Sequence, residues 1–181
     1  MNGEIISNVL NMNTLESFKQ VKSIILDVDG VLTNSQLLIT EKGELLRSMN
    51  AKDGYAMRAA IKAGLHICII TGGKSQGVVS RLKGLGIQDI YIGASDKLPI
   101  FKEYLSHRNL APKDCLYMGD DMPDLVVLNQ VGLRACPADA IPEIRSFVDY
   151  VSPYNGGMGC VRDVIEKVLK LKKQWPNPLE D

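Results

Sequence analysis

The sequence predicts an α/β fold in which a doubly wound parallel sheet carries helices on both faces. Short apolar runs rich in β-branched residues recur along the 181-residue chain, and segments with apolar residues three and four positions apart lie between them. This alternation is typical of strand–helix–strand units, which join parallel strands. Acidic, hydroxylic and basic side chains follow the strand ends, where ligands bind in such sheets.

Each element follows from its local pattern. The apolar runs predict strands at Ser23–Leu26, His66–Ile70, Ile90–Ile92, Cys115–Met118 and Leu133–Cys136, with a sixth at Tyr150–Val151. The helical spacing predicts helices at Asp53–Ala63, Ser75–Leu85, Lys97–Arg108, Pro123–Val131, Ile141–Phe147 and Gly159–Lys173. The glycines after Ala63 and Leu85 are typical of helix C-caps, and Pro123 is typical of a helix start.

A short insert interrupts the alternation directly after the first strand. Residues 37–40 and 45–49 flank a turn that contains Gly43, which predicts a β-hairpin beside the first strand end. The insert is too short to be a cap domain. A two-stranded ribbon is marginal alone and would expose Leu37, Ile39 and Leu45. We therefore expect it to pair with other copies of the chain in a closed homo-oligomer, a homotetramer.

The bulk properties predict a single domain over residues 1–181, with residues 1–20 as an N-terminal extension and residues 174–181 as a loose tail. The formal net charge is zero, so no overall field favours nucleic acid or an anionic membrane. No apolar run approaches the roughly 20 residues that cross a bilayer. Four scattered cysteines and the absence of a signal pattern predict a reduced, cytoplasmic protein.

Acidic, hydroxylic and basic side chains follow the ends of four predicted strands. Asp27 and Asp29 follow the first strand, one residue apart, and Gly30 comes next. Two neighbouring carboxylates repel one another, so a bound cation or a phosphate explains this pair better than folding does. The other strand ends are followed by Thr71, by Lys97, and by the acidic cluster Asp120, Asp121 and Asp124.

These residue types suit phosphoryl transfer. Asp27 can attack phosphorus as a nucleophile, and Asp29 can protonate the leaving oxygen and later take a proton from water. Carboxylates and a phosphate need a cation between them, and Mg²⁺ prefers such oxygen ligands. We expect Lys97 to pair with the phosphoryl oxygens and the nucleophile, and Thr71 to donate to the same oxygens. Their alternatives are a solvated surface lysine and an ordinary strand-end threonine.

The four segments resemble the motifs of the haloacid dehalogenase-type phosphatases, in that family's order and over nearly the whole chain. The patterns DxDGxxT and GDDxxD carry most of this resemblance. The hairpin, residues 49–55 and residues 156–162 resemble the 3-deoxy-D-manno-octulosonate 8-phosphate phosphatases, which lack a cap domain and form tetramers. The resemblance implies release of phosphate from an eight-carbon sugar acid on the way to bacterial lipopolysaccharide.

The resemblance also implies the ligands of the metal. They are Asp27, the backbone carbonyl of Asp29, and Asp120, with Asp121 or Asp124 holding metal-bound waters. The alternative for Asp124 is an acid matched to the dipole of the helix that follows.

A set of substrate-binding residues is implied in the same way. Its members are Asn50, Ala51, Lys52, Asp53, Gly54, Arg58, Arg81, Lys97 and Arg162. A basic residue suits the carboxylate of a sugar acid, although Arg58 and Arg81 are explained equally well as exposed helix charges. Relatives insert the segment that resembles Gly156–Arg162 into a neighbouring subunit's site. Its alternative is a plain turn before a helix.

One departure from the family pattern affects the expected substrate. Many relatives carry arginine directly after the Thr-Gly pair, where this chain has Gly73, with Lys74 as a partial substitute. This departure leaves a nine-carbon sugar acid phosphate as an alternative substrate. A phospho-acceptor signalling domain is an alternative of another class, because receivers also place acids, a threonine and a lysine at parallel strand ends. Receivers lack the DxD spacing and the second acidic cluster.

Overall fold

The protein forms a six-stranded parallel sheet and a separate hairpin in a computed structural model that describes residues 14–176. In chain order the strands are β1 (Ser23–Leu26), β2 (Leu38–Ile39), β3 (Leu45–Leu46), β4 (His66–Ile70), β5 (Asp89–Tyr91), β6 (Cys115–Met118), β7 (Leu133–Cys136) and β8 (Tyr150–Val151). The sheet order is β5-β4-β1-β6-β7-β8, and β2 pairs antiparallel with β3. The chain leaves β1 toward one edge and returns to build the other, so β1 borders the crevice where such sheets bind ligands.

Helices cover both faces of the sheet. In chain order they are α1 (described over residues 14–20), α2 (Ala51–Lys62), α3 (Gln76–Gly84), α4 (Lys97–Arg108), α5 (Leu125–Leu128), α6 (Pro142–Phe147) and α7 (Cys160–Leu171). Short 3-10 turns lie at Pro112–Asp114 and Met122–Asp124. None of the described helices has the length and apolarity needed to span a bilayer.

The strands alternate their side chains between two apolar cores. Ile24 and Leu26 of β1 pack in one core with α2, α3 and α7, whereas Ile25 packs in the other with α4, α5 and α6. Both cores are buried because successive strand residues point to opposite faces and each face is covered by helices. The predicted doubly wound α/β fold without a cap domain is confirmed.

Some boundaries differ from the sequence predictions. The helix predicted at Pro123–Val131 is a 3-10 turn followed by the four-residue α5. The turn is tight because the carboxylate of Asp124 accepts the backbone N–H groups of Asp120 and Asp121 (3.0 and 3.3 Å). The strand expected at Ile90–Ile92 lies one residue earlier, at β5.

The two ends of the chain are only partly described. Residues 14–20 of the expected extension are helical, and Phe18 is buried in the first core. Within the segment expected to be loose from residue 174, the ring of Trp175 packs edge-on against Tyr55 with the centroids 6.2 Å apart. Residues 1–13 of the extension and 177–181 of the tail lie outside the described residues.

A glycine-rich run supports the loop that follows β1. A Cβ atom added to Gly156 would lie 1.9 Å from the backbone oxygen of Gly30, and the Gly157 N–H donates to the Val31 oxygen (2.9 Å). The side chain of Asn50 donates to the Gly157 oxygen (3.2 Å). This run therefore packs against the DxDG loop of its own chain and fixes the backbone beside Asp29.

We expect Gly156→Ala to destabilise the fold by about 1–3 kcal/mol, because the added methyl group meets backbone that cannot move aside. Gly84→Ala is the matched control. It adds the same methyl group within a helix, where no atom lies within 4 Å, and it should stabilise by about 0.5 kcal/mol. Urea unfolding of both variants measures the difference. Equal midpoints for Gly156→Ala and the wild type would contradict the packing argument.

Candidate active site

The parallel register brings the four predicted segments to one edge of the sheet. β1 pairs with β4 and with β6 such that Leu26 lies between Ile69 and Met118. Asp27 follows Leu26 directly, and its backbone N–H continues the ladder by donating to the Met118 oxygen (3.1 Å). The residues after these three strands therefore face one another across the crevice at the switch of strand order.

Lys97 lies buried at the centre of the site. Its Nζ atom is 2.9 Å from Asp27 Oδ2 and 2.7 Å from Asp124 Oδ1. Asp96 caps α4 by accepting the Leu98 N–H (3.1 Å), which fixes Lys97 at the first helical position. Burial acts to lower the pKa of Lys97, but Asp27 and Asp124 outweigh it and raise that pKa above its usual value. The ammonium group therefore stays charged, and the prediction that it pairs with the nucleophile agrees with this geometry.

Asp124 connects the lysine to the acidic loop. The Tyr117 hydroxyl donates to Asp124 Oδ1 (2.6 Å), the same oxygen that accepts from Lys97. Its second oxygen accepts the backbone N–H groups of Asp120 and Asp121. Asp124 is thus more than an acid matched to a helix dipole, because it orders the loop and compensates the buried ammonium group.

Three carboxylates converge beside this lysine. Oxygen atoms of Asp27, Asp120 and Asp124 lie within 4.8 Å of one another. Burial, followed by the charge of Asp124, raises the pKa of Asp27 to about 6. Burial and the charges of Asp124 and Asp27 raise the pKa of Asp120 to about 8. A single lysine cannot offset three acids, and a cluster of carboxylate oxygens fits Mg²⁺.

Gly30 and Asp121 lie beside this cluster but differ in their contacts. A Cβ atom on Gly30, whose φ is +90°, would lie 1.9 Å from Asp120 Oδ2, so the glycine lets this carboxylate approach the β1 loop. Asp121 is exposed and accepts the Met122 N–H (2.7 Å). Of the two acids expected near the metal, Asp124 belongs to the cluster.

Asp29 faces a residue that the sequence analysis missed. The guanidinium of Arg47 donates from Nε to Oδ1 (2.7 Å) and from Nη2 to Oδ2 (3.0 Å) of Asp29. Arg47 directly follows β3 and lies in the second arm of the predicted hairpin, but its contact with Asp29 depends on how the hairpin packs, which the sequence does not indicate. Thr71 is buried nearby, and its hydroxyl accepts the Gly73 N–H (3.2 Å).

Several residues predicted to bind substrate make contacts within this chain, and their role toward substrate stays a prediction. Asn50 caps α2 by accepting the Lys52 N–H (2.8 Å). Asp53 is buried, and its Oδ1 accepts the Arg162 N–H at the start of α7 (2.7 Å). Arg58 donates to the Gly84 oxygen at the end of α3 (3.1 Å). These contacts hold α2, α3 and α7 together, and none of them reaches Asp27.

The remaining predicted residues divide between two surfaces. Arg81 lies over Gly54, where an added Cβ atom would be 2.7 Å from its Nη2, and it lines a cleft together with Arg47. Lys52 and Arg162 line a different groove along α7, and Ala51 is exposed on the first turn of α2.

Arg162 contacts two aromatic rings and a carboxylate of its own helix. Its guanidinium carbon lies 5.8 Å from the Tyr55 ring centroid and 5.3 Å from that of Trp175, and its Nε donates to Glu166 (3.2 Å). Within one chain, this residue therefore fastens the C-terminal segment to α2 and α7.

The fold and site define a hydrolase of the haloacid dehalogenase type, in which an aspartate at the end of the central strand is paired with a lysine and an acidic loop. The family model for haloacid dehalogenase-like hydrolases matches residues 86–165. The Escherichia coli K12 3-deoxy-D-manno-octulosonate 8-phosphate phosphatase is 37% identical over 160 residues, which are 88% of this chain and 85% of that protein. The Salmonella typhimurium enzyme of the same name is 39% identical over 151 residues, covering 83% and 80% of the two chains.

Solved structures agree with these relatives. The phosphatase of that name from Yersinia pestis superposes with a TM-score of 0.88 at 34% identity and covers 90% of this chain and 88% of its own. The Moraxella catarrhalis phosphatase, solved with magnesium, phosphate and KDO, gives 0.87 at 31% identity and covers 90% and 93%. The chain belongs to the 3-deoxy-D-manno-octulosonate 8-phosphate phosphatase family of haloacid dehalogenase-like hydrolases.

We expect Mg²⁺ to raise the unfolding temperature of the wild type and to have little effect on Asp120→Asn, since that variant loses one carboxylate of the cluster. Asp121→Asn is the matched control and should respond like the wild type. Thermal unfolding with Mg²⁺ and with a chelator measures both. An equal Mg²⁺ response in Asp120→Asn would remove Asp120 from the metal site.

The same cluster sets a pH dependence for the metal-free protein. The pKa of Asp120 is about 8 in the folded state, whereas an unfolded aspartate has about 4. The folded state therefore binds more protons between these values, so stability is highest at the acid end of this window and is lost as the pH rises toward 8. Urea unfolding in chelator between pH 5 and 8 should show this decline, and a smaller one in Asp120→Asn.

Proposed function

We propose that this protein hydrolyses 3-deoxy-D-manno-octulosonate 8-phosphate to the free sugar acid and phosphate in a Mg²⁺-dependent reaction that supplies lipopolysaccharide precursors. The observation that supports it most is the buried Lys97 between Asp27 and Asp124, with Asp120 beside them. These residues would supply a nucleophile, a phosphate-binding cation and a set of metal ligands at one point. The names of the relatives supply the substrate.

The first step is transfer of the phosphoryl group to Asp27. A carboxylate oxygen of Asp27 forms a bond to phosphorus while the bond from phosphorus to the sugar oxygen breaks. The Lys97 ammonium group, 2.9 Å from Asp27, stabilises the negative charge that spreads over the phosphoryl oxygens. The buried Thr71 hydroxyl and the backbone N–H groups beside it are additional donors.

The second step is hydrolysis of the aspartyl-phosphate. Asp29 donates a proton to the departing sugar oxygen in the first step, and it then takes a proton from the water that attacks phosphorus. The second bond cleavage returns Asp27 as a free carboxylate and releases inorganic phosphate. Asp27, Asp120 and the backbone carbonyl of Asp29 would hold Mg²⁺, with Asp124 beside them, and the ion supplies positive charge to the phosphoryl oxygens.

Asp27→Asn should abolish phosphate release from the eight-carbon substrate and leave the fold intact, because the two side chains are nearly isosteric. Glu16→Gln, which changes an exposed acid on α1, is the matched control and should keep wild-type turnover. Phosphate release with and without Mg²⁺ measures both variants. Turnover by Asp27→Asn would place the nucleophile elsewhere.

The substrate itself is tested on the wild type. The eight-carbon and the nine-carbon sugar acid phosphates are compared by kcat/KM under the same conditions. The proposal requires a higher value for the eight-carbon compound, and a hundredfold preference for the nine-carbon compound would overturn it.

The cytoplasmic location expected from the cysteines agrees with four buried free thiols, and it remains part of this proposal.

The hairpin supports a homotetramer. Leu38 and Ile39 are 67% and 66% exposed, and Leu37, Leu45 and Leu46 are exposed beside them. An apolar ribbon of this kind is marginal alone and is stabilised when copies of the chain cover it. The assembly would also supply a wall to a site that has no cap domain.

Leu38→Glu should therefore dissociate the assembly, because four added carboxylates would be buried at one interface. Leu15→Glu, on the half-exposed surface of α1, is the matched control and should leave the assembly intact. Sedimentation at micromolar concentration measures both. A monomeric wild type would refute the proposed assembly.

A further inference from the structure

Arg47 lies where three depressions beside the catalytic aspartates meet. It lines the small pocket that contains Asp29 and Thr71, and it also lines two larger clefts, of about 460 and 660 Å³, that flank the hairpin. Its side chain is only 8% exposed and is held by both oxygens of Asp29. A guanidinium group in this position borders both the pocket of Asp29 and Thr71 and the two larger clefts.

The absence of a side chain at Gly73 provides the space that Arg47 occupies. A Cβ atom added to Gly73 would lie 3.3 Å from Asp29 Oδ2 and 3.5 Å from Arg47 Nη2. Gly73 does not have a positive φ, so its backbone conformation would accept a side chain. Gly73 is therefore required for space and not for its backbone conformation. Any longer side chain at this position would compete with the guanidinium group.

A second guanidinium group borders the same cleft. Arg81 and Arg47 both line the 460 Å³ cleft between the hairpin and α3, together with apolar side chains such as Leu45 and Val78. A cleft with two guanidinium groups beside the reacting centre suits a leaving group that carries its own negative charge.

We propose that Arg47 is the specificity-determining residue that binds the carboxylate of the sugar-acid leaving group, and that Asp29 holds it in place while substrate is absent. This inference rests on the proposed function, which supplies the acid. The planar fork of Arg47 exchanges one carboxylate partner for another and keeps two charge-assisted hydrogen bonds. The exchange frees both oxygens of Asp29 to turn toward the leaving oxygen. A phosphate ester without a carboxylate leaves Arg47 on Asp29.

The test compares two substrates that differ only in this charge: 3-deoxy-D-manno-octulosonate 8-phosphate and its C1 methyl ester. We expect Arg47→Met to raise KM for the acid by about 10- to 100-fold, the usual value of a charge-assisted fork. The KM for the ester should change less than about threefold, a split that a purely structural role would not produce. Arg47→Lys keeps the charge without the fork and should be intermediate.

The matched control is Lys42→Met, which removes an exposed cation from the turn of the same hairpin. It should leave both substrates at wild-type values. A relocated cation gives a further check, because Arg47→Met combined with Gly73→Arg places a guanidinium group in the vacated space. The double variant should prefer the acid over the ester at least tenfold more than Arg47→Met does. No such increase would contradict the claim that the two positions share one space.

The possible failures are distinguishable. If the wild type prefers the acid and Arg47→Met keeps that preference, this inference is wrong and the proposed function stands. If Arg47→Met slows both substrates equally, Arg47 acts only through Asp29, and the carboxylate assignment is overturned. If the wild type releases phosphate from neither compound, the proposed function fails and this inference fails with it.

Discussion

The site depends on the ion pairs that Lys97 makes with Asp27 and Asp124. An ammonium group in this buried position is tolerated only because two carboxylates pair with it, since the N-terminal turn of α4 disfavours a positive charge. The same contacts set the orientation of Asp27 and, through the second oxygen of Asp124, the backbone of the acidic loop. Removal of Lys97 would leave Asp27 and Asp124 facing one another without a cation.

The cluster of Asp27, Asp120 and Asp124 is destabilising by itself, because its three carboxylates repel one another. Asp120 and Asp27 both carry raised pKa values because burial and neighbouring acids disfavour their charged forms. The fold stabilises this arrangement from outside: a glycine run packs against the DxDG loop, and Gly30 makes space for Asp120. Local destabilisation of this kind is usual where a cation is to be bound.

Most of the fold and the centre of the site could be predicted from the sequence. Strands end where apolar runs end, and a parallel register carries the residues after them to one edge, so Asp27, Lys97 and Asp120 could be placed together before any coordinates. Arg47 could not, because its contact with Asp29 depends on how the hairpin lies against the sheet. The hydrogen bonds of Asp53 and Arg58 could not be predicted either, because their partners on α7 and α3 come from helix packing, which spacing along the chain does not encode.

The stack of Tyr55, Arg162 and Trp175 has a practical consequence. Trp175 is the single tryptophan of the chain, and it rests against residues of α2 and α7 near the C-terminal end of the described chain. Its intrinsic fluorescence therefore reports one event, the docking of this end of the polypeptide onto those two helices. A change in emission without loss of far-UV ellipticity would register undocking while the sheet remains folded.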